Sequence, residues 1–369
     1  MYARCTRQSL SFFLTLFMIL VLALAGCATP ASAPAPASPT PPPAEAPAQE
    51  AAMPASIGDV ARAEDIALTP EEIEKIRGMK LRFGFNTNHR TDDFINLLIK
   101  GGEDTAAQYG IELLVSEAGF DANRQLGQIE DLVQQKVDGI FMVAVDFDAI
   151  SPAIEKANEA GIPVVIVGGP PARGQVLSVM NSTSYDGCYE SAKYLVDAVG
   201  GEGKIGVITI PLALKTIQER DQGTLDAIAT TKMEVVGNQG VWRQEEALAA
   251  AENMITANPD LKAIFATWSL AVNGALAAIE ASGKDIKLAG YDAEKAGFQA
   301  FHDGNPHLLA LSGQQATVQG KAGIDALAKA VLGQPVASEI LVPTVLVTRD
   351  NYKEMWDVLY PGITPPWEE

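Results

Sequence analysis

Residues 128–169 constrain this chain more than any other stretch. Ile129, Leu132, Val133 and Val137 recur at helical spacing, and residues 139–143 (Gly-Ile-Phe-Met-Val) then form a continuous apolar run of strand length. Asp148 is placed to cap a second helix, whose inner face carries Ile150, Ile154 and Ala157. Gly161 ends that helix, and residues 163–167 form a second apolar run. Strands that are apolar at every position are buried on both faces, which a parallel sheet with helices on each side provides. Ligands of such sheets bind beyond the carboxyl ends of the strands. The functional loops are therefore expected to begin near Ala144 and Gly168.

The same helix–strand order extends in both directions. Strands are predicted at 81–85 and 111–115 around a helix over 92–109 that Gly110 stops, and a short strand near 176–179 completes a first unit. After Asn181 a second array follows, with strands at 204–210, 234–236, 263–266, 286–290 and 308–311. Helices are predicted between them at 184–199, 215–230, 244–258, 269–282 and 294–303. A long helix over 316–332 and a last strand over 340–347 close the pattern. A chain of 369 residues accommodates two such domains.

Charge excludes some partners. With 27 basic against 46 acidic residues and a formal charge of −19, the chain has no basic surface to displace phosphate counterions, which argues against nucleic acid. It also argues against holding an anionic membrane by a basic face. The three histidines, His89, His302 and His307, have no metal-ligand spacing. Of three cysteines only Cys188 lies in the expected folded part, which leaves that part without a disulfide or a cysteine metal cluster.

The N-terminus reads as a targeting segment. Arg4 and Arg7 precede an apolar stretch over 10–24, shorter than a spanning helix, which ends in Leu24-Ala25-Gly26-Cys27. These four residues resemble the lipobox of bacterial lipoproteins, which implies cleavage before Cys27 and lipid attachment to its sulfur. The alternative is an ordinary signal peptide or a single anchoring helix. Residues 28–56 are rich in alanine and proline, with Pro41-Pro42-Pro43 at the centre, and suit a spacer rather than a core. Residues 57–79 are expected to be a short helical lead-in, begun at Thr69-Pro70-Glu71-Glu72.

From about residue 80 to 348 the chain resembles the ribose-binding branch of the bacterial periplasmic solute-binding proteins of the type I fold. The resemblance is carried by 161–169 (GIPVVIVGG), by 258–266 (NPDLKAIFA) leading into Gly274-Ala-Leu276, by 288–292 (LAGYD) and by 314–323 (QQATVQGKAG), in order and at matching spacing. It implies an α/β architecture of two Rossmann-like parallel-sheet lobes joined by a hinge of three crossings, near 181–184, 312–315 and 341–344. The lobes would comprise 80–182 plus 315–341, and 183–314 plus 342–369. A small ligand would be held between them without chemistry or cofactor, and delivered to the permease subunits of an ABC importer.

Family members grip sugars with aromatic faces and with charged or amide side chains that pair the hydroxyls, as a polyol requires. Carried over by position, Asp92 matches a ligand asparagine, Phe94 a stacking phenylalanine, Trp242 a stacking aromatic, Asp292 a sugar-binding aspartate and Gln314 a ligand glutamine beside the hinge. Asn88 and His89 share the first loop. The departures are as informative. Gly168-Gly169-Pro170 stands where the family has Asp-Arg, Trp268 where it has an asparagine, and Gln218 where it has an arginine, with Arg220 placed to reach inward. A larger or less hydroxylated ligand than ribose is therefore expected, such as a modified sugar, a cyclitol or a nucleoside-like compound. Local readings compete: Asp92 and Asp292 as helix caps, Phe94 and Trp242 as core residues.

Two other functions are weighed. An enzyme on this scaffold lacks GxGxxG after its first strand, a P-loop or a nucleophile elbow. A sensory receptor for a membrane kinase or chemoreceptor would use the same fold and site. A repressor of the same fold would need an N-terminal helix-turn-helix, which a targeting segment replaces.

Overall fold

The structure, a computed structural model, describes residues 59–368. The targeting segment, Cys27 and the alanine/proline spacer lie outside the described residues. The first array runs β1 (Val60–Arg62), α1 (Pro70–Met79), β2 (Arg82–Thr87), α2 (Asp93–Tyr109), β3 (Glu112–Glu117), α3 (Ala122–Gln134), β4 (Gly139–Val143), α4 (Ser151–Glu159), β5 (Val164–Val167) and β6 (Ser178–Ser182). The second runs α5 (Ser184–Ala198), β7 (Glu202–Thr209), α6 (Lys215–Ala229), β8 (Lys232–Gly240), α7 (Gln244–Ala257), β9 (Leu261–Ala266), α8 (Ser269–Ser282), β10 (Lys287–Tyr291), α9 (Lys295–His302) and β11 (Leu308–Gln314). It is followed by α10 (Ala316–Val331), β12 (Glu339–Val342), β13 (Thr344–Thr348) and α11 (Tyr352–Leu359).

The strands form two sheets, ordered β1-β12-β6-β5-β4-β2-β3 and β13-β11-β10-β9-β7-β8. Every pairing is parallel except β13 against β11. The apolar runs of β4 and β5 are buried at every residue, as two-sided cover demands. Local signals set the helix ends. Thr69 and Glu72 form a reciprocal capping box on α1 (Thr69 N–H to Glu72 Oε2, 2.7 Å), with Pro70 in the first turn. The Asp92 carboxylate accepts the Ile95 N–H at 2.8 Å to start α2, and Gly110 ends it in the left-handed region at φ +69°.

Three crossings join the lobes. Thr183 leads from β6 into α5, which packs on the second sheet. Gln315 leads from β11 back into α10, which packs on α2 and the first sheet. There Gly101 faces the Thr317 backbone and Gly320 the Leu98 carbonyl so closely that a Cβ on either would collide with main chain. The expected single strand over 340–347 is two strands in different sheets. Pro343, without an N–H, separates β12 from β13 and is the third crossing.

Two further expectations are corrected. The lead-in over 57–79 is not only helical, because β1 pairs with β12 (Val60 opposite Glu339) and extends the first sheet. Asp148 does not cap α4. Asp146 accepts the N–H groups of Asp148 and Ala149, both at 2.8 Å, and α4 starts from Ile150 without a side-chain cap. Sequence reasoning also passed over α11. Its Trp356 stacks on Tyr360 with ring centres 4.2 Å apart and meets Phe298 edge-on at 5.2 Å, fixing the C-terminus to the second lobe.

Candidate functional site in the interlobe cleft

The carboxyl ends of the two sheets face each other. Asp93 on α2 reaches Lys295 on α9 at 3.1 Å, and Lys215 on α6 reaches Glu339 on β12 at 2.7 Å, so both pairs bridge the lobes. The loops after β2, β5, β8, β9 and β10 therefore open toward a shared cleft, as the direction of parallel strands dictates.

Its centre is Asp292, which follows β10 with φ +70°. Aspartate tolerates this left-handed backbone better than most residues. The turn is held by the Asp292 N–H, which donates to the Ser312 carbonyl at 2.8 Å. One carboxylate oxygen accepts from Gln314 Nε2 at 2.7 Å and the other lies 3.6 Å from Arg220 Nη1. Arg220 is buried, lies 3.9 Å over the Tyr291 ring and donates to the Thr267 carbonyl at 3.1 Å. Burial works against its charge, and Asp292 together with Tyr291, Cys188 and Asp221 more than offsets this. Its Nε has no partner among the described residues, and neither has the buried indole N–H of Trp268 on the next strand end. Both buried donors are thus left without an acceptor among the described residues.

A hydrogen-bonded chain ties this centre to the hinge. Gln319 Nε2 donates to Ser182 Oγ at 2.6 Å, Ser182 Oγ donates to Gln314 Oε1 at 2.7 Å, and the Gln314 amide nitrogen then faces Asp292. Phe94, Asp292, Glu294 and Gln314 line one narrow space between the lobes. Beside the hinge a larger cavity of about 450 Å³ opens between Phe147, Gly168, Pro170 and Asn181 of the first lobe and Leu214 and Lys215 of the second.

The structure brings Phe94, Arg220, Asp292 and Gln314 together, with Trp268 adjoining through Thr267. Asp92 caps α2 while its other oxygen lies 3.3 Å from His89, which stacks on Phe120. Burial pushes the Asp92 carboxyl up, against the Ile95 hydrogen bond and His89. Asn88 uses its side-chain oxygen on the His89 N–H at 2.9 Å, within its own loop. Gln218 is exposed on α6 and shares no side-chain hydrogen bond with Arg220, Asp292 or Gln314. Trp242 follows β8 and is 53% exposed, so the core alternative does not describe it. Asp292 does not cap α9, whose N-terminus is Glu294. Sequence reasoning missed Asp93, Ser182, Glu294 and Gln319. The only signal was the spacing of Glu294, two residues beyond Asp292 at a strand end. Cys188 is free and buried, and burial pushes its thiol far above the usual range.

Known proteins align with this geometry. A family model described as a periplasmic binding protein domain matches residues 83–335. The ribose import binding protein of Bacillus subtilis is 31% identical over 267 residues, which covers 72% of this chain and 87% of that protein. An ABC transporter periplasmic solute binding protein from Actinobacillus succinogenes, solved with bound D-allose, superposes with a TM-score of 0.67 at 25% identity, over 74% of this chain and 100% of that one. A Bacillus halodurans ABC transporter solute binding protein with bound myo-inositol superposes with a TM-score of 0.66 at 25% identity, over 75% of this chain and 97% of that one. Two parallel-sheet lobes, three crossings and a polar cleft define a hinged solute-binding protein. The chain belongs to the periplasmic binding protein family, in its ribose-binding-like branch, whose members are extracytoplasmic binding components of transport. Among the described residues no helix is long and apolar enough to cross a membrane.

Proposed function

We propose that this chain captures a sugar or sugar-like polyol in the interlobe cleft and delivers it to the permease subunits of an ABC importer. The observation that carries the reading is the cluster of buried Arg220 with half-buried Asp292 and Gln314, beside the partnerless donors Arg220 Nε and Trp268 Nε1. A sugar hydroxyl both donates and accepts, so it can accept from these N–H groups while donating to the Asp292 carboxylate. The Phe94 ring, which lines the interlobe space, suits the C–H face of a sugar, and Trp242 and Trp268 would be further stacking candidates. Ligand contacts to both lobes favour the closed arrangement over the open one, and that difference in affinity is the whole of the mechanism. Cys27 would carry the lipid, and residues 28–56 would hold the lobes away from the membrane.

The test is calorimetric titration of the purified protein with pentoses, hexoses and cyclitols, repeated on Asp292→Asn. A charge-assisted hydrogen bond contributes about 1.5–3 kcal/mol, so Asp292→Asn should weaken the bound sugar roughly 10- to 100-fold. Undiminished sugar affinity in Asp292→Asn would remove the cluster from the site.

A further inference from the structure

The space between the lobes has a second compartment, which the polar cluster does not account for. It is the cavity of about 450 Å³ bordered by the loops after β4 and β5, by β6 and by the start of α6. Phe147, Pro170, Val179 and Leu214 give it an apolar wall. No side chain projects from the end of β5 to fill it. Gly168 sits at φ +97°, where a side chain is strained, and a Cβ on Gly169 would lie in ordinary contact with the Phe147 ring at 3.6 Å. Two of the charged groups on the wall are engaged with each other. Lys215 Nζ donates to both oxygens of Glu339, at 2.7 and 2.8 Å, and Asn181 Nδ2 donates to the same carboxylate at 3.1 Å. Asp148, the remaining charged residue there, is exposed. Asn181 is 4% exposed, and its Oδ1 has no partner among the described residues.

A sugar ring lodged in this cavity would find few partners for its hydroxyls, and a buried hydroxyl without a partner is costly. An apolar group would instead exchange water for the Phe147 ring and the Val179 and Leu214 side chains. The same two elements serve both compartments. β6 places Asn181 on the cavity wall, and Ser182, the next residue, on Gln314 at 2.7 Å. α6 places Lys215 on the cavity wall, and Arg220, five residues further on, lies 3.6 Å from Asp292. Five residues of helix rise about 7.5 Å, a separation that a sugar joined to a single ring-sized substituent spans. We infer that the solute is a glycoside, a sugar carrying a flat apolar or aromatic substituent: its hydroxyls meet Arg220, Asp292 and Gln314, and its substituent lies in the cavity against Phe147 and Leu214. This rests on the cleft being the sugar site. Aryl glycosides and nucleosides share this shape, and a nucleobase N–H can in addition donate to Asn181 Oδ1.

The experiment titrates the purified protein calorimetrically with matched pairs: glucose and phenyl β-glucoside, galactose and phenyl β-galactoside, ribose and uridine. In the pair whose sugar fits, the glycoside should bind about ten-fold tighter than its parent or more. That gain in a phenyl pair supports the inference with an aryl substituent, and in the ribose pair with a nucleobase. Phe147→Ala removes the aromatic wall and should bring the ratio close to one. Phe147 also packs on the core of the first lobe, so Gly169→Leu is the second variant: its φ is not left-handed, its Cβ has room, and its side chain fills the cavity, which should again bring the ratio close to one. A parent sugar that binds as tightly as its glycoside, or a ratio that survives in a folded variant, overturns the inference and leaves the sugar reading standing. Binding of neither member of any pair overturns the inference together with the sugar reading beneath it.

Discussion

Ser182→Ala tests the link between hinge and site. Ser182 is 4% exposed and Gln319 1%. The serine hydroxyl has one proton, given to Gln314 Oε1, so it must accept from Gln319 Nε2, and this fixes the orientation of both amides. Removing it breaks two hydrogen bonds and strands the buried Gln319 amide and the half-buried Gln314 carbonyl. Gln319 Oε1 already has no partner, so that side chain would lose its one hydrogen bond among the described residues. At about 1–1.5 kcal/mol for each bond, with the penalty for stranding buried groups added, the loss should be about 2–4 kcal/mol. The Gln314 amide would also be free to turn away from Asp292, weakening the ligand roughly 3- to 10-fold. Ser312→Ala is the control, because Ser312 Oγ is buried without a partner and its removal should cost less than about 0.5 kcal/mol. Urea unfolding of both variants, with ligand titration beside it, reads these effects. Equal losses in the two variants, or a loss in Ser182→Ala below about 0.5 kcal/mol with unchanged affinity, would refute the argument.

Two other outcomes follow from the same geometry. The Glu294 carboxyl is raised from 4.5 to about 7, so the folded state holds this proton more tightly than the unfolded chain. Its effect on stability is favourable at low pH and is lost as pH climbs from about 4.5 through about 7; Glu294→Gln should therefore raise the melting temperature of the unliganded protein by a few degrees at pH 8, about 1–2 kcal/mol after allowing for partial solvent access, and change little at pH 4.5. Gly320→Ala would drive its Cβ into the Leu98 carbonyl where α10 crosses α2. The loss should be about 2–3 kcal/mol in chemical unfolding, and a neutral variant would contradict the close crossing.

Much of the fold was legible because its signals are local. The unbroken apolar runs of β4 and β5 reveal two-sided burial, Thr69-Pro70 starts α1, and Gly110 stops α2. What escaped depends on distant partners. The three residues of β1 have no period of their own and become a strand because β12, far along the chain, offers an edge. The sequence reads 340–347 as one strand through Pro343, and only the sheets decide that β12 and β13 belong to different lobes. The site divides in the same way. Phe94, Asp292 and Gln314 were legible through a resemblance, because each sits beside a recognisable strand or hinge motif. Glu294, Asp93 and Ser182 matter only once the two lobes face each other, which no local pattern encodes. Trp242 illustrates the opposite limit, since a tryptophan after a strand reads alike whether it packs inside or stands 53% exposed.

The central claim is that the cleft around Arg220, Asp292 and Gln314 holds a sugar-like solute. Its most direct test is mass spectrometry of the small molecules released on denaturing the purified protein, beside the same measurement on Arg220→Met. The account predicts a sugar or sugar derivative approaching one per chain in the native protein and its disappearance from the variant. A released compound without hydroxylated-ring character, or equal retention by Arg220→Met, would contradict it.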